Sequence, residues 1–500
     1  MSDTSPLRSK LFWVGVLYFA EGFPLGVFYE ILPVHFRQQG VDLSDIGFLS
    51  LLGLAWSIKF LWAPLIDRFR HHRTWMLAVD LGMAVVMLSL AAGGDFGPWV
   101  WVAVACFTLL SATNDIAIDG YTIELLNRNE YGIANGVRIG LYRIGMISTG
   151  VLLMLHPWLG WSGVYACGAV ILVVLGGACR LAPPELPGGG RTATSAADEL
   201  RSIAAHPAVF APALLLIAAL LAVVSPAALN RFDDATLTAA AGYMPELAVA
   251  LLLLAVAIAV VNRRRGDAAT MQRLASGPMF GAFLSIASRR YFFPVMLFIL
   301  TFKLADQTIG FMIKPFWVDA GFSPEQIGLV SVNIGIALSI AGGLAGGWFT
   351  DRYGVFTGLW VLGLTQIFSN LGYAWIAHVF PLPGVESDHA PWQIATMYSA
   401  SAVESFTQGL GTGAFLAFLM AIVDKRNAAT EFAVLSSVFV LARSVAGWAG
   451  GYGAEAWGYG TFFLATFFFG LPAYLLLPWA KRMLALADAR EQTTPAPASP

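Results

Sequence analysis

IGFLSLLGLAWSIKFLWAPLIDRFRHHR, residues 46–73, and IGLVSVNIGIALSIAGGLAGGWFTDRYG, residues 327–354, decide the architecture between them. Each opens on Ile-Gly, runs through one apolar span and closes on an Asp-Arg pair, Asp67-Arg68 and Asp351-Arg352, with three residues of slippage. A second match pairs the segments carrying Arg143 and Arg443, each arginine lying 11 residues after Gly132 or Phe432. Two matches in the same order make the chain a tandem of similar halves.

The composition around these repeats is that of a membrane protein. Of 500 residues 57% are hydrophobic and only 12% charged, against about a quarter charged in soluble domains. A hydrocarbon core of roughly 30 Å takes about 20 apolar residues per helical span. Fourteen such stretches fall near 11–36, 46–66, 74–93, 99–122, 132–155, 160–181, 208–229, 245–262, 291–313, 325–349, 356–378, 392–421, 429–455 and 460–480. The start, MSDTSPLRSK, carries no short apolar region with a small-residue cleavage site, so the first span is expected to stay as a helix.

The expectation is an all-α polytopic membrane protein of about 14 spans. Residues 1–182 form an N-terminal six-helix half, 183–290 hold cytoplasmic linkers and two inserted helices, 291–482 form a C-terminal six-helix half, and 483–500 are a disordered tail. Parallel six-span halves with a solute site between them near the midplane are the build of major facilitator transporters. With the N-terminus inside, 21 of the 29 Lys and Arg fall on the cytoplasmic side and three outside, Arg37, Arg231 and Lys314. Positive loops stay inside, so both termini are expected in the cytoplasm.

Ionisable groups inside spans cost about 2.5–3.5 kcal/mol or more each, so each is a functional hypothesis. In LLSATNDIAIDGYTIELL, Asp115 and Asp119 stand at i and i+4 on one helix face. Two buried carboxylates that repel one another can share or pass a proton; the competing reading is a structural pair neutralised by Arg138 or Arg143. Lys59, Arg138, Arg143, Lys303 and Arg443 make the interior partly cationic, which suits a carboxylate or phosphate on a solute, unless each pairs with an intramembrane acid. Lys303 and Asp306 are three apart and suited to an intrahelical ion pair, while Glu404 has no local partner. Glu21 and Glu30 lie about 180° apart on a straight helix, and Glu21 is the better cavity candidate. The charged loops at Asp67, Arg68, Arg73, Asp351 and Arg352 are candidates for a cytoplasmic gate, or fix topology by charge alone.

Several classes drop out. No GxxxxGK[ST] loop occurs, so ATP is not expected to drive the protein. All seven His fall in loops or at span ends, which speaks against a metal site and an intramembrane enzyme. Cys106, Cys167 and Cys179 have no ligand or disulfide spacing. No basic patch interleaved with aromatics suggests nucleic acid, and no cofactor is called for. A monomer in the bilayer is expected, with a small solute and protons as its partners.

The segments SIKFLWAPLIDR, TNDIAIDG, FKLADQTIGFMIKPFWVDAGF, GLTQIFSNLGYAW and ESFTQGLGTGAFLAFLMAIVDKRNAATEFAVLSS resemble the AmpG-type muropeptide permeases of Gram-negative bacteria over both halves. The acetyl-CoA transporter branch is similar through the first two. The resemblance implies a major facilitator fold and proton-driven import of GlcNAc-1,6-anhydro-MurNAc and its peptides across the inner membrane for cell-wall recycling. It places Lys59, Asp115, Asp119, Arg143, Lys303, Asp306 and Glu404 at matching motif positions. Glu21 stands where those permeases carry a small or neutral residue, and the inserted pair lies between the halves rather than after the second. A CoA ester or siderophore is the alternative cargo, and a non-transporting sensor or scaffold the alternative outside transport.

Overall fold

A computed structural model describes residues 10–59, 62, 66, 71–93, 97–126, 131–184, scattered positions between 211 and 254, 291–380, 382, 389–423 and 428–493. Every regular element among them is helical, as backbone in lipid demands, since a helix satisfies its own N–H and C=O groups. The N-terminal half comprises α1 (Lys10–Gln38), α2 (Leu43–Ile58), α3 (His72–Ala91), α4 (Pro98–Leu125), α5 (Tyr131–Met154) and α6 (His156–Leu181). The C-terminal half comprises α7 (Phe292–Asp319), α8 (Pro324–Tyr353), α9 (Val355–Val379), α10 (Pro391–Ile422), α11 (Ala428–Gly470) and α12 (Pro472–Thr493).

Ten of the described helical segments are long and apolar enough to cross a membrane, and α2 is a shorter apolar helix. The last of the ten, Phe439–Ala487, has 49 residues. At 1.5 Å per residue that is over twice the hydrocarbon thickness, and it divides where α11 turns at Gly458 (φ 72°, ψ 158°). With α2 and this division, the described residues of the two halves give twelve helical passes. The two inserted spans, both linkers and the end of the tail lie largely outside the described residues.

The chain forms two compact units. One comprises Met1–Gly188, Leu300–Phe418 and Phe439–Leu475; the other comprises Gly189–Ile299, Leu419–Val438 and Leu476–Pro500, where the Arg482 guanidinium lies 5.9 Å from the Tyr291 ring centre. The first unit contains all the clusters described below. Its large outward side chains are apolar, such as Val85, Val174, Leu344 and Trp375, which is a lipid-facing surface rather than a defect.

Close packing in this unit rests on small residues. α1 packs chiefly on α5 through Gly22 and Gly26, four apart in GFPLG, with Gly22 against the Tyr142 carbonyl and Gly26 against Thr149. In lipid there is no hydrophobic drive between helices, so such backbone approach supplies the attraction. α8 meets α10 in the same way, Gly342 against the Phe406 carbonyl and Gly346 against that of Leu410. The halves meet through Gly47 with Gly451 and Gly150 with Gly328.

Two π-helical turns interrupt the regular helices, Val27–Ile31 in α1 and Ile327–Ile334 in α8. The first follows Pro24, which lacks an N–H to donate. A third correspondence between halves emerges at the turns into the final helices. Gly160 and Gly458 both adopt positive φ, and the residue after each bonds to the end of its half's first helix: Trp161 Nε1 donates to Gln38 (3.0 Å) and Tyr459 Oη to Asp319 (2.7 Å).

Candidate functional site

Three charged groupings occupy the first unit. In the N-terminal half, α4 presents Asp115 and Asp119 on one face, as their spacing predicts. Lys59 donates to Asp115 at 2.8 Å and lies 3.7 Å from Asp119. Arg138 of α5 reaches Asp119 at 3.3 Å, and Tyr18 of α1 donates to the same carboxylate at 2.8 Å. The Arg138 guanidinium lies 4.5 Å from the Tyr18 ring centre. Glu21, one helical turn along, is buried within electrostatic reach of both aspartates, Arg138 and Lys59, and its Oε2 has no hydrogen-bond partner. Three acids thus share two cations.

In the C-terminal half Lys303 and Asp306 form the intrahelical pair that their spacing suggests, at 2.9 Å. Lys303 also donates to Gln366 Oε1 of α9 (2.7 Å) and to the Gln408 carbonyl of α10 (3.3 Å). Its ammonium sits where the α7 helix breaks, since Lys303 is in a turn between Phe302 and Leu304. Glu404 is buried within electrostatic reach of Asp306, Lys314 and Lys303, with Ser405 donating to it at 3.3 Å. Here Asp306 holds Lys303 in contact, while Glu404 feels Lys314 and Lys303 at longer range.

The third grouping joins the halves. Arg143 of α5 and Arg443 of α11 come from the corresponding spans of the two halves. Arg443 lies over Tyr29, its Cζ 3.8 Å from the ring centre. Tyr29 is packed with Phe28, Trp56 and Phe311.

Toward the end of the bundle where α1, α5 and α7 finish, polar bridges cross between halves. Arg37 Nε donates to Asp319 at 2.6 Å, and Lys314 pairs with Glu30 at 2.9 Å while donating to Ser331 Oγ at 2.8 Å. Ser50 donates to the Ser444 carbonyl at 2.6 Å, and Glu455 accepts the Ser44 N–H at 2.8 Å. Glu30 and Ser331 stand on the two π-helical turns, and such turns recur at functional positions.

Hydropathy ends the first span near residue 36 and the ninth near 313, leaving Arg37 and Lys314 in outer loops. Both helices run on, to Gln38 and Asp319, and Lys314 is buried. A carboxylate from the opposite half offsets each charge, which is why the helices can extend past them. Glu30, set aside in favour of Glu21, faces the second half instead. Asp80, which is not among the candidates read from the sequence, is fully buried in α3 and accepts from Asn114 at 2.9 Å. Its signal was present: a lone aspartate in an apolar span.

At the opposite end, Asp67 and Arg68 lie outside the described residues. Arg73 donates to the Ala182 carbonyl at 2.7 Å within its own half, and Asp351 and Arg352 are exposed at the end of α8.

A helical bundle of two similar halves, with buried charge in each and bridges between them at one end, defines a secondary transporter of solutes. The Major Facilitator Superfamily model matches residues 14–397, and the chain belongs to that superfamily. It is 26% identical to the anhydromuropeptide permease of Escherichia coli strain K12 over 92% of this chain and 78% of that one. It is 23% identical to a putative transporter AmpG 4 of Rickettsia felis, over 95% and 97% of the two chains. Among solved structures it is similar to an auto-inhibited POT family peptide transporter, with TM-score 0.62 and 15% identity over 98% of each chain, a likeness of fold.

Proposed function

We propose that the protein is a proton-coupled importer of anhydromuropeptides, GlcNAc-1,6-anhydro-MurNAc and its peptides, across the bacterial inner membrane. The likeness to the anhydromuropeptide permease over nearly the whole chain supports the cargo. The single observation that supports coupling is the charge count around Asp119: among the described residues, Glu21, Asp115 and Asp119 face Lys59 and Arg138 alone. Three carboxylates against two cations leave room for one proton in a low-dielectric site, and taking it up neutralises the excess. Lys303, Asp306 and Glu404 serve the cargo from the C-terminal half, and both termini face the cytoplasm.

With that orientation the bridged end is periplasmic, and the conformation is closed outward. Arg37–Asp319 and Glu30–Lys314 are the outer latch. The cytoplasmic gate at Asp67, Arg68, Arg73, Asp351 and Arg352 closes when the halves rock the other way.

Accumulation of labelled GlcNAc-1,6-anhydro-MurNAc peptide in cells lacking their own muropeptide permease tests the reading. Uptake that collapses with a protonophore supports cargo and coupling together. No uptake by well-expressed protein discards the muropeptide and leaves the transporter class standing.

The outer latch makes its own prediction. Arg37 and Asp319 side chains are 22% and 16% exposed, between the exposed pairs worth under about 1 kcal/mol and the buried ones worth about 3–5 when broken. Arg37→Ala should therefore favour outward opening by about 2 kcal/mol, roughly 30-fold in the equilibrium. The reporter is Ser50→Cys, a buried position on the seam, in a background lacking the three native cysteines. Labelling by an impermeant maleimide from outside should speed up; an unchanged rate removes Arg37 from the latch.

A further inference from the structure

The groupings and bridges described above hold seven Lys and Arg side chains, and they are not equivalent. Arg37, Lys59, Arg138, Lys303 and Lys314 each have a carboxylate within 4 Å. Arg143 and Arg443 have none among the described residues. A guanidinium held in a bilayer interior without a counter-charge in contact is costly, and little in the local fold repays that cost: Glu30, the carboxylate within electrostatic reach of Arg143, is itself paired with Lys314 at 2.9 Å, and Arg443 lies over the face of Tyr29, a contact worth about 0.5–2 kcal/mol.

The two stand in corresponding spans of opposite halves, and each lies within electrostatic reach of the other. Their backbones are held firmly. α5 is clamped against α1 on either side of Arg143, at Tyr142 with Gly22 and at Met146 with Gly26. α11 is clamped just beyond Arg443 by Ser444, whose carbonyl accepts from Ser50, and by Gly447 against Phe311. Beside them, the buried indole N–H of Trp56 has no acceptor, though its ring packs on Tyr29 and Phe28.

We infer that Arg143 and Arg443 form a clamp, one guanidinium from each half, that binds a carboxylate of the cargo, with the Tyr29–Trp56 aromatic wall beside it taking the adjoining sugar or peptide face. This rests on the transport reading above and narrows it. Of the five cations first considered for cargo, Lys59, Arg138 and Lys303 have a protein carboxylate within 4 Å, and among the described residues Arg143 and Arg443 do not, which leaves their charge the most available. Planar forks suit a carboxylate bidentately, and one anion bridging both guanidiniums would relieve their mutual repulsion. Occupancy then favours approach of the halves around the cargo, whereas the empty site resists it.

The test uses the purified full-length chain in lipid nanodiscs and reads thermal midpoint against citrate, at ionic strength matched with chloride. Binding to the folded form raises the midpoint. Wild type should shift, and Arg143→Gln and Arg443→Gln should each lose the shift. Arg443→Lys, which keeps charge but not the fork, should retain a reduced one. A variant that does not fold is replaced by the lysine variant at the same position. No citrate shift in wild type, or an undiminished shift in both Gln variants, overturns the clamp. A phosphate shift exceeding that of citrate overturns its carboxylate preference.

The anhydromuropeptide is then titrated by tryptophan fluorescence, free and with its carboxylates converted to amides. Wild type should bind the free form at least about 10-fold more tightly, and the Gln variants should bind both alike. Citrate protection without muropeptide binding sinks the cargo reading and keeps the clamp; muropeptide binding indifferent to amidation does the reverse.

Discussion

Asp119→Asn is expected to abolish accumulation of cargo against a gradient while leaving exchange of internal for external cargo measurable. A proton entering down an inward gradient of one pH unit supplies about 1.4 kcal/mol, roughly 10-fold accumulation per coupled proton, and its charge through 100 mV adds about 2.3 kcal/mol to the extent that the cargo's own negative charge does not cancel it. An amide cannot take that proton, so the variant's accumulation ratio should fall to about 1. The substitution is nearly isosteric. Tyr18 can still donate to the amide oxygen, as it now donates to Oδ1. Arg138 loses its only carboxylate within 4 Å, while Lys59 keeps Asp115, so cargo binding should weaken less than coupling. Counterflow and uphill uptake in proteoliposomes separate the two. Uphill uptake at the wild-type level removes Asp119 from coupling and returns Asp115 and Asp119 to the structural pairing that their spacing equally allows.

Gly22→Val is expected to be the most damaging single change outside the charged groups. A Cβ at this position falls on the Tyr142 carbonyl oxygen, with the Tyr142 carbonyl carbon at 2.8 Å. Backbone cannot swing aside as a side chain can, so α1 must part from α5 along their longest contact. The cost is about 3 kcal/mol or more, and it also displaces Glu21 and Tyr18, the neighbours that set the Asp119 site. Gly140, on α5 itself, has nothing within 4 Å of its would-be Cβ, and Gly140→Val should unfold close to wild type. Thermal unfolding in detergent compares the pair. Equal midpoints for the two variants remove close α1–α5 backbone contact as the determinant.

Much of this was legible in the chain. Apolar spans of about 20 residues, the Asp67-Arg68 and Asp351-Arg352 repeats, and the matched Arg143 and Arg443 carry the fold class and the two halves. Local spacing also carried two pieces of the site, the shared face of Asp115 and Asp119 and the Lys303–Asp306 pair, because both are properties of a single helix. The third repeat, around Gly160 and Gly458, was too short to stand out in sequence and became visible only as matching positive φ values with matching bonds.

Sequence by itself determined that most of these charges enter the membrane, though hydropathy left Arg37 and Lys314 outside it; tertiary structure alone decided which of them are neutralised. Lys59 finds Asp115 across 56 residues and Arg37 finds Asp319 across 282, and no periodicity reaches that far. Helix rotation settles such pairings, and the π-helical turns at Val27–Ile31 and Ile327–Ile334 alter rotation in a way that 3.6-residue counting does not follow. Five intramembrane cations read alike in the sequence because cost of burial depends on residue type. Only packing brings a carboxylate within 4 Å of each one or does not, and among the described residues it brings none to Arg143 and Arg443, the pair proposed to meet an anionic cargo.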